Sequence, residues 1–350
     1  MENKRECYLD IAKVVSMIGV ITVHTGAISW YEAPFGFYPW GVLNIFDMLG
    51  RFSVPVFLMI SGYLFLNPTR QVSASVIFKK HIPRLLCAFF FWSFLYALIT
   101  SGFLTSRTLS GGIGETLLHD TLAGRYHMWY IFAIAGLYII TPALRPLAAD
   151  RKATKYFLVV SFILTYLIPT LQLIPIVSKC TFWFTGRFEL FYISGYVFYY
   201  LAGYYFGTED LSLKQRKIIY ALGIASAIVM FVVVSYSIIR QQYPAHTYHE
   251  YSNAGMPLFG LAAFVFFRYR FKDANPNSKK MRAFIKLSKI NLGIYLVHDF
   301  GLIVFKKIGL KPVMVTPFIM LPLLVLADYA ISVCIVLVIS HIPVLKKWVI

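Results

Sequence analysis

Of the 350 residues, 59% are hydrophobic and 17% aromatic, and only 14% are charged. Soluble domains carry roughly 25% charged residues, so a soluble fold is excluded. The net charge of +18 does not make a nucleic-acid-binding surface, because Lys and Arg lie between apolar runs and not on a polar face.

A hydrocarbon core of roughly 30 Å takes about 20 helical residues to cross. Runs of that kind recur near 8–29, 41–66, 83–104, 127–147, 156–176, 188–207, 218–239, 254–271, 284–305 and 317–341. The expected fold is therefore all-α and polytopic, with about ten transmembrane helices and both termini on one side. The first run keeps Lys13 and has no small-residue cleavage site after it, so it reads as a retained helix. Placing the termini in the cytoplasm puts 23 Lys and Arg on the inner side and eight in the outer loops, with Lys13 and Arg51 inside spans. Positive charge favours the cytoplasmic side, which supports that orientation. The four cysteines, Cys7, Cys87, Cys180 and Cys334, are too scattered for a disulfide framework or a zinc site.

Ionisable groups inside spans are costly and mark candidate sites. In the first span Asp10, Lys13 and His24 follow one another at 3 and 11 residues. At 100° per residue all three fall on one helix face, with His24 roughly 24 Å above Tyr8 and so in the outer half of the bilayer. In the second span Asp47 and Arg51 stand at i,i+4 and can neutralise each other. Arg51 is followed by Pro55 and by Ser61-Gly62, which suit close helix packing. The stretch Lys79-Lys80-His81-Ile-Pro-Arg84 is either a topological signal or a grip for nucleotide phosphates. The outer loop at 103–126 is rich in Gly, Ser and Thr and too polar to span. His127 opens the fourth span ahead of Trp129-Tyr130, which either sit in an interfacial belt or stack on sugar. In the ninth span Asn291, Tyr295 and His298 share a face at i, i+4 and i+7, with Asp299 just beyond. No two histidines of this group have the i,i+4 spacing of a helix-borne zinc pair, so no metal is expected.

Taken together, these residues resemble the acyltransferase-3 family of integral membrane acyltransferases. Leu9-Asp10-Ile-Ala-Lys13 with His24 matches its first-span pattern, with Lys13 where many members carry Arg. Arg51 to Leu64 resembles its second-span signature ending in Ser-Gly-Tyr-Leu, and Lys80 with Arg84 resembles its cytoplasmic basic motif. His127-Met-Trp-Tyr130 and Asn291-Leu-Gly-Ile-Tyr295-Leu-Val-His298 resemble two further signatures. The matches run in order from residue 8 to 298. The absence of any appended soluble domain makes the chain similar to the stand-alone subgroup that acylates surface polysaccharides and lipid-linked sugars.

The resemblance implies one membrane-embedded acyltransferase domain over 1–350, multi-pass in the inner (cytoplasmic) membrane and in contact with membrane lipids. It implies transfer of an acyl group, acetyl first, from acyl-CoA to a hydroxyl of an extracytoplasmic or lipid-linked glycan. Lys79, Lys80 and Arg84, with Lys13, are expected to hold acetyl-CoA or another short acyl-CoA, and His24 to act as general base. Asp10 lies three to four turns below His24, so whatever orients that ring has to come from another helix. Arg51, Tyr295 and His298 are the candidates for stabilising the oxyanion or holding the acceptor. Asp10, Asp47, Ser61, His127, Trp129, Tyr130 and Asn291 are expected to line the substrate site. Direct transfer and an acyl-histidine intermediate both stay open, as does a homodimer. The rival reading is a carrier for a polar solute or lipid-linked sugar, which would also want buried charges and a cavity but would release no CoA.

Overall fold

The computed structural model describes residues 5–70, 72–101, 112–185, 195–241, 251 and 253–350. Among them every regular element is helical and none is a strand. Apolar surroundings explain this, since a helix satisfies its own backbone groups where water cannot. In chain order the helices are α1 (Cys7–Ala27), α2 (Trp40–Gly50), α3 (Ser53–Leu66), α4 (Ala74–Thr100), α5 (Ile113–Ala123), α6 (Trp129–Ala149) and α7 (Arg151–Leu171). They continue with α8 (Pro175–Thr185), α9 (Gly195–Thr208), α10 (Leu213–Gln241), α11 (Gly255–Arg270), α12 (Lys279–Lys289), α13 (Asn291–Lys307), α14 (Pro317–Ile339) and α15 (Pro343–Trp348).

Seven helical runs are long and apolar enough to cross a membrane, and an eighth is counted if α12 and α13 form one broken span. The ten expected crossings are not all matched. Among the described residues α9 and α11 run for 14 and 16 residues, or roughly 21 and 24 Å at 1.5 Å per residue, and α9 begins where the described residues resume. The expected span at 188–207 begins at residues outside the described set, as do Arg107, Arg187 and most of the first half of the 103–126 loop. The expected span at 284–305 is bent by 73° at Ile290, between α12 and α13.

Helix α1 is the hub, packing on α2, α3, α11, α12, α13 and α14. Its central position follows from its small residues: a Cβ on Gly19 would meet the Ser53 hydroxyl, and one on Gly50 would meet the Gly19 carbonyl. The closest seam joins α3 to α9. A Cβ on Gly62 would run into the Tyr200 carbonyl, and one on Gly203 into the Met59 carbonyl, so the two backbones touch, as small residues allow in membranes. Pro142 and Pro146 lie within α6, and Arg145 between them donates to the Phe65 carbonyl at 3.0 Å, fastening α6 to the end of α3. Helix α4 opens through a π-helical turn at Ile77–His81.

Candidate active site

A cavity of about 390 Å³ runs along α1 between α3, α4, α6 and α13. Lys13 and His24 both line it. Eleven residues of helix separate them, or roughly 16 Å, so the cavity has a cationic end near the start of α1 and an imidazole end near its close. Between the two, its wall is mostly apolar and aromatic, with Phe57, Ile60, Leu64, Tyr130 and Tyr138 facing inward. Ser61 lines it as expected, while its neighbour Gly62 turns to the α9 seam.

At the imidazole end three expected histidines meet. His24 Nδ1 lies 2.7 Å from His298 Nε2, the rings near-parallel at 18° with centroids 5.0 Å apart. His298 Nδ1 lies 2.7 Å from the Tyr295 main-chain oxygen. A carbonyl only accepts, so His298 Nδ1 carries the proton, and neutral His298 then offers a lone pair at Nε2. His24 Nδ1 must donate to it. The lone pair of His24 therefore sits on Nε2. His298 is thus the group from another helix that fixes the ring and tautomer of His24, a role neither Asp10 nor Lys13 can reach.

The His127 ring packs edge-on against His298 at 4.7 Å and lines the cavity. It is 1% exposed, and neither ring nitrogen has a hydrogen-bond partner among the described residues. Its main chain is held by the Tyr295 hydroxyl, which donates to the His127 carbonyl. That hydroxyl is therefore spent on structure. Arg51 is likewise committed, its Nε and Nη2 donating to Asp47 at 2.9 and 3.0 Å. The pair stands close enough to act electrostatically on His24 but does not line the cavity. Trp129 and Tyr130 do line it, and Trp129 stacks on Tyr196 at 5.5 Å.

At the cationic end the basic residues separate. The π-helical turn leaves Lys79 and Lys80 exposed and away from the cavity, whereas His81 and Arg84 line it. Arg84 Nη2 donates to the main-chain oxygen of Ile350. Asp10 is bound by Arg5 through two contacts of 2.8 Å and accepts from Ser288. It anchors the α12–α13 bend to α1 and does not line the cavity. Asn291 opens α13 beside Ser288 and Lys289, and all three line the cavity.

A family model for an acyltransferase domain, acyltransferase-3, matches residues 7–341. The chain belongs to the acyltransferase-3 family. This membership makes it a transferase of acyl groups carried on membrane helices. It is also 27% identical over 177 residues to the nodulation protein NolL of Sinorhizobium fredii (strain NBRC 101917 / NGR234). That stretch covers 50% of this chain and 45% of the relative, so the chain matches less than half of NolL's length. No solved structure matches it.

Several residues of this candidate site escape the sequence reading. Lys289 was counted only as a topological charge, because nothing in its spacing marks the bend that turns it to the cavity. Arg125 was counted in the same way, yet its Nε contacts Asp299 at 2.5 Å, and Tyr126 donates to the same carboxylate at 3.0 Å. The Tyr126 ring in turn meets His24 edge-on at 5.3 Å. Asp328 is fully buried in α14, lies against Gly301, and among the described residues has no hydrogen-bond partner on either oxygen. It is the single charged residue of the apolar run 317–341, a signal that was available.

Proposed function

We propose that the chain transfers an acyl group, most simply acetyl, from cytoplasmic acyl-CoA to a hydroxyl of an extracytoplasmic or lipid-linked glycan. The observation that carries this reading is one cavity joining a cationic end to a paired-histidine end, roughly 16 Å apart along α1. The excess of Lys and Arg on the side of the chain termini supports a cytoplasmic cationic end. The membrane is then the cytoplasmic membrane, crossed about ten times.

The donor enters with its phosphates at the cationic end and its thioester near His24. The acceptor hydroxyl approaches His24 Nε2, which takes its proton while the oxygen bonds to the thioester carbonyl carbon. The oxyanion that develops needs a donor, and His127, whose two ring nitrogens have no partner among the described residues, is the residue we assign to it. Collapse breaks the C–S bond, and the sulfur leaves with the proton held at His24 Nε2. The products are the ester and the CoA thiol, with no net proton change. His298 acts through His24 and is a positioning residue.

The test is CoA release by the purified protein with acetyl-CoA and a glycan acceptor. Release that depends on His24 supports the reading. A carrier without transferase activity releases no thiol, and that outcome overturns it.

A further inference from the structure

The break between α12 and α13 has a consequence at the cavity floor. Helix α13 starts there, and its N-cap residue, Ile290, makes no side-chain capping hydrogen bond among the described residues. The first N–H groups of a helix have no partner within it and carry the positive end of its dipole. In discontinuous membrane helices such half-helix N-termini point at anionic groups. Asn291 and Leu292, the first residues of α13, line the cavity at this point.

A second observation points to a ligand. Asn291 is only 8% exposed, and its Oδ1 has no hydrogen-bond partner among the described residues. Its carboxamide oxygen is therefore buried against the cavity, and turning the amide over would present its NH2 group there instead. Arg84 Nε is buried there with no partner among the described residues either, while Arg84 Nη2 donates to Ile350. Lys13 and Lys289 line the same end from α1 and α12. Asp10, the nearby carboxylate, is already bound by Arg5 and Ser288. At this end the buried atoms without a partner among the described residues are Asn291 Oδ1 and Arg84 Nε, and the cations that line it are Lys13, Lys289 and Arg84.

We infer that the N-terminus of α13, with Asn291, Lys13, Lys289 and Arg84, forms a cradle for a phosphate or diphosphate group. The inference rests on the donor half of the function proposed above and moves the phosphate grip from Lys79 and Lys80 to the broken helix. Ammonium and guanidinium groups supply the charge, and the backbone N–H groups supply direction. The same chemistry suits a nucleotide-type thioester donor or an anionic lipid headgroup.

Binding of CoA and of inorganic pyrophosphate to the full-length protein in phosphatidylcholine nanodiscs, followed by calorimetry, tests the cradle. Lys13→Ala, Lys289→Ala and Asn291→Ala should each weaken both ligands about tenfold, the loss of one charge-assisted hydrogen bond. Lys289→Arg should retain binding, and the Lys79→Ala/Lys80→Ala double variant should bind within about twofold of the parent. Unchanged thermal unfolding certifies that each variant is folded. Parent-like affinity in the Lys13→Ala/Lys289→Ala variant would overturn the cradle, and so would a loss confined to Lys79 and Lys80. Loss of CoA binding by the parent in phosphatidylglycerol nanodiscs assigns the cradle to a lipid headgroup, whereas retention assigns it to the nucleotide donor. Cradle-dependent pyrophosphate binding without any thioester cleavage would sink the function proposed above and leave the cradle standing. Cleavage indifferent to the cradle variants would do the reverse.

Discussion

His24 Nδ1 donates to His298 Nε2 across 2.7 Å, so two helices 274 residues apart in sequence share one hydrogen bond at the head of the cavity. Its direction is dictated one step further back, by the Tyr295 carbonyl that only accepts. The reactive lone pair of His24 is thereby aimed by a main-chain oxygen on α13.

Removing the base should remove the reaction. His24→Ala and His24→Gln are expected to lower acyl transfer by about 10²- to 10⁴-fold, the usual worth of general-base catalysis. Expression and thermal unfolding should stay at parent level. Full CoA release by either variant would sink the assignment.

His298 should behave differently. Its loss leaves His24 in place but frees its ring and tautomer, so His298→Ala should lower kcat by roughly 10- to 100-fold. The KM for acyl-CoA should hardly move, because the cationic end of the cavity is untouched. Steady-state kinetics with the donor varied distinguishes the cases: a rise in KM at constant kcat would mean that His298 binds substrate and does not position the base.

The Asp47–Arg51 pair makes a stability prediction. Its side chains are only 6% and 16% exposed, and removing one partner of a buried pair costs about 3–5 kcal/mol because the other charge is stranded. Arg51→Ala alone should therefore lower the unfolding temperature in detergent markedly. Arg51→Met with Asp47→Asn should recover a large part of the loss. Additive losses in the double variant would show that the pair is not coupled.

Gly62→Ala and Gly203→Ala each insert a methyl group against a carbonyl of the facing helix. Overpacking of this kind costs about 1–3 kcal/mol or more where the neighbour is backbone and cannot yield. Both variants should unfold earlier than Gly136→Ala, where a Cβ meets nothing within 4 Å. Equal stability of the three variants would contradict the close seam.

The helical fold was readable from the apolar runs alone, since their length is set by the bilayer and not by tertiary detail. Apolar length by itself marked neither the shorter helix nor the break. Gly255–Arg270 is cut to 16 residues, and the run at 284–305 bends at Ile290. The face shared by Asn291, Tyr295 and His298 was legible from period alone, and so was the depth of His24. That His24 and His298 touch was not, because periodicity orients a residue on its own helix and says nothing of its neighbours. The cationic end shows the same limit. Lys79 and Lys80 stand out as a basic run, yet a π-helical turn rotates them outward, while Lys289, unremarkable in sequence, is swung inward by a bend.

Ser61 faces the cavity and Gly62 faces α9. The wall that a substrate would touch is therefore gauged from behind, by how closely two backbones can approach on the far side of the same helix. Width in this chamber is inherited from a contact that no substrate meets. A larger residue at the seam would change the width of the chamber without altering a single lining side chain, so its capacity can be retuned from outside.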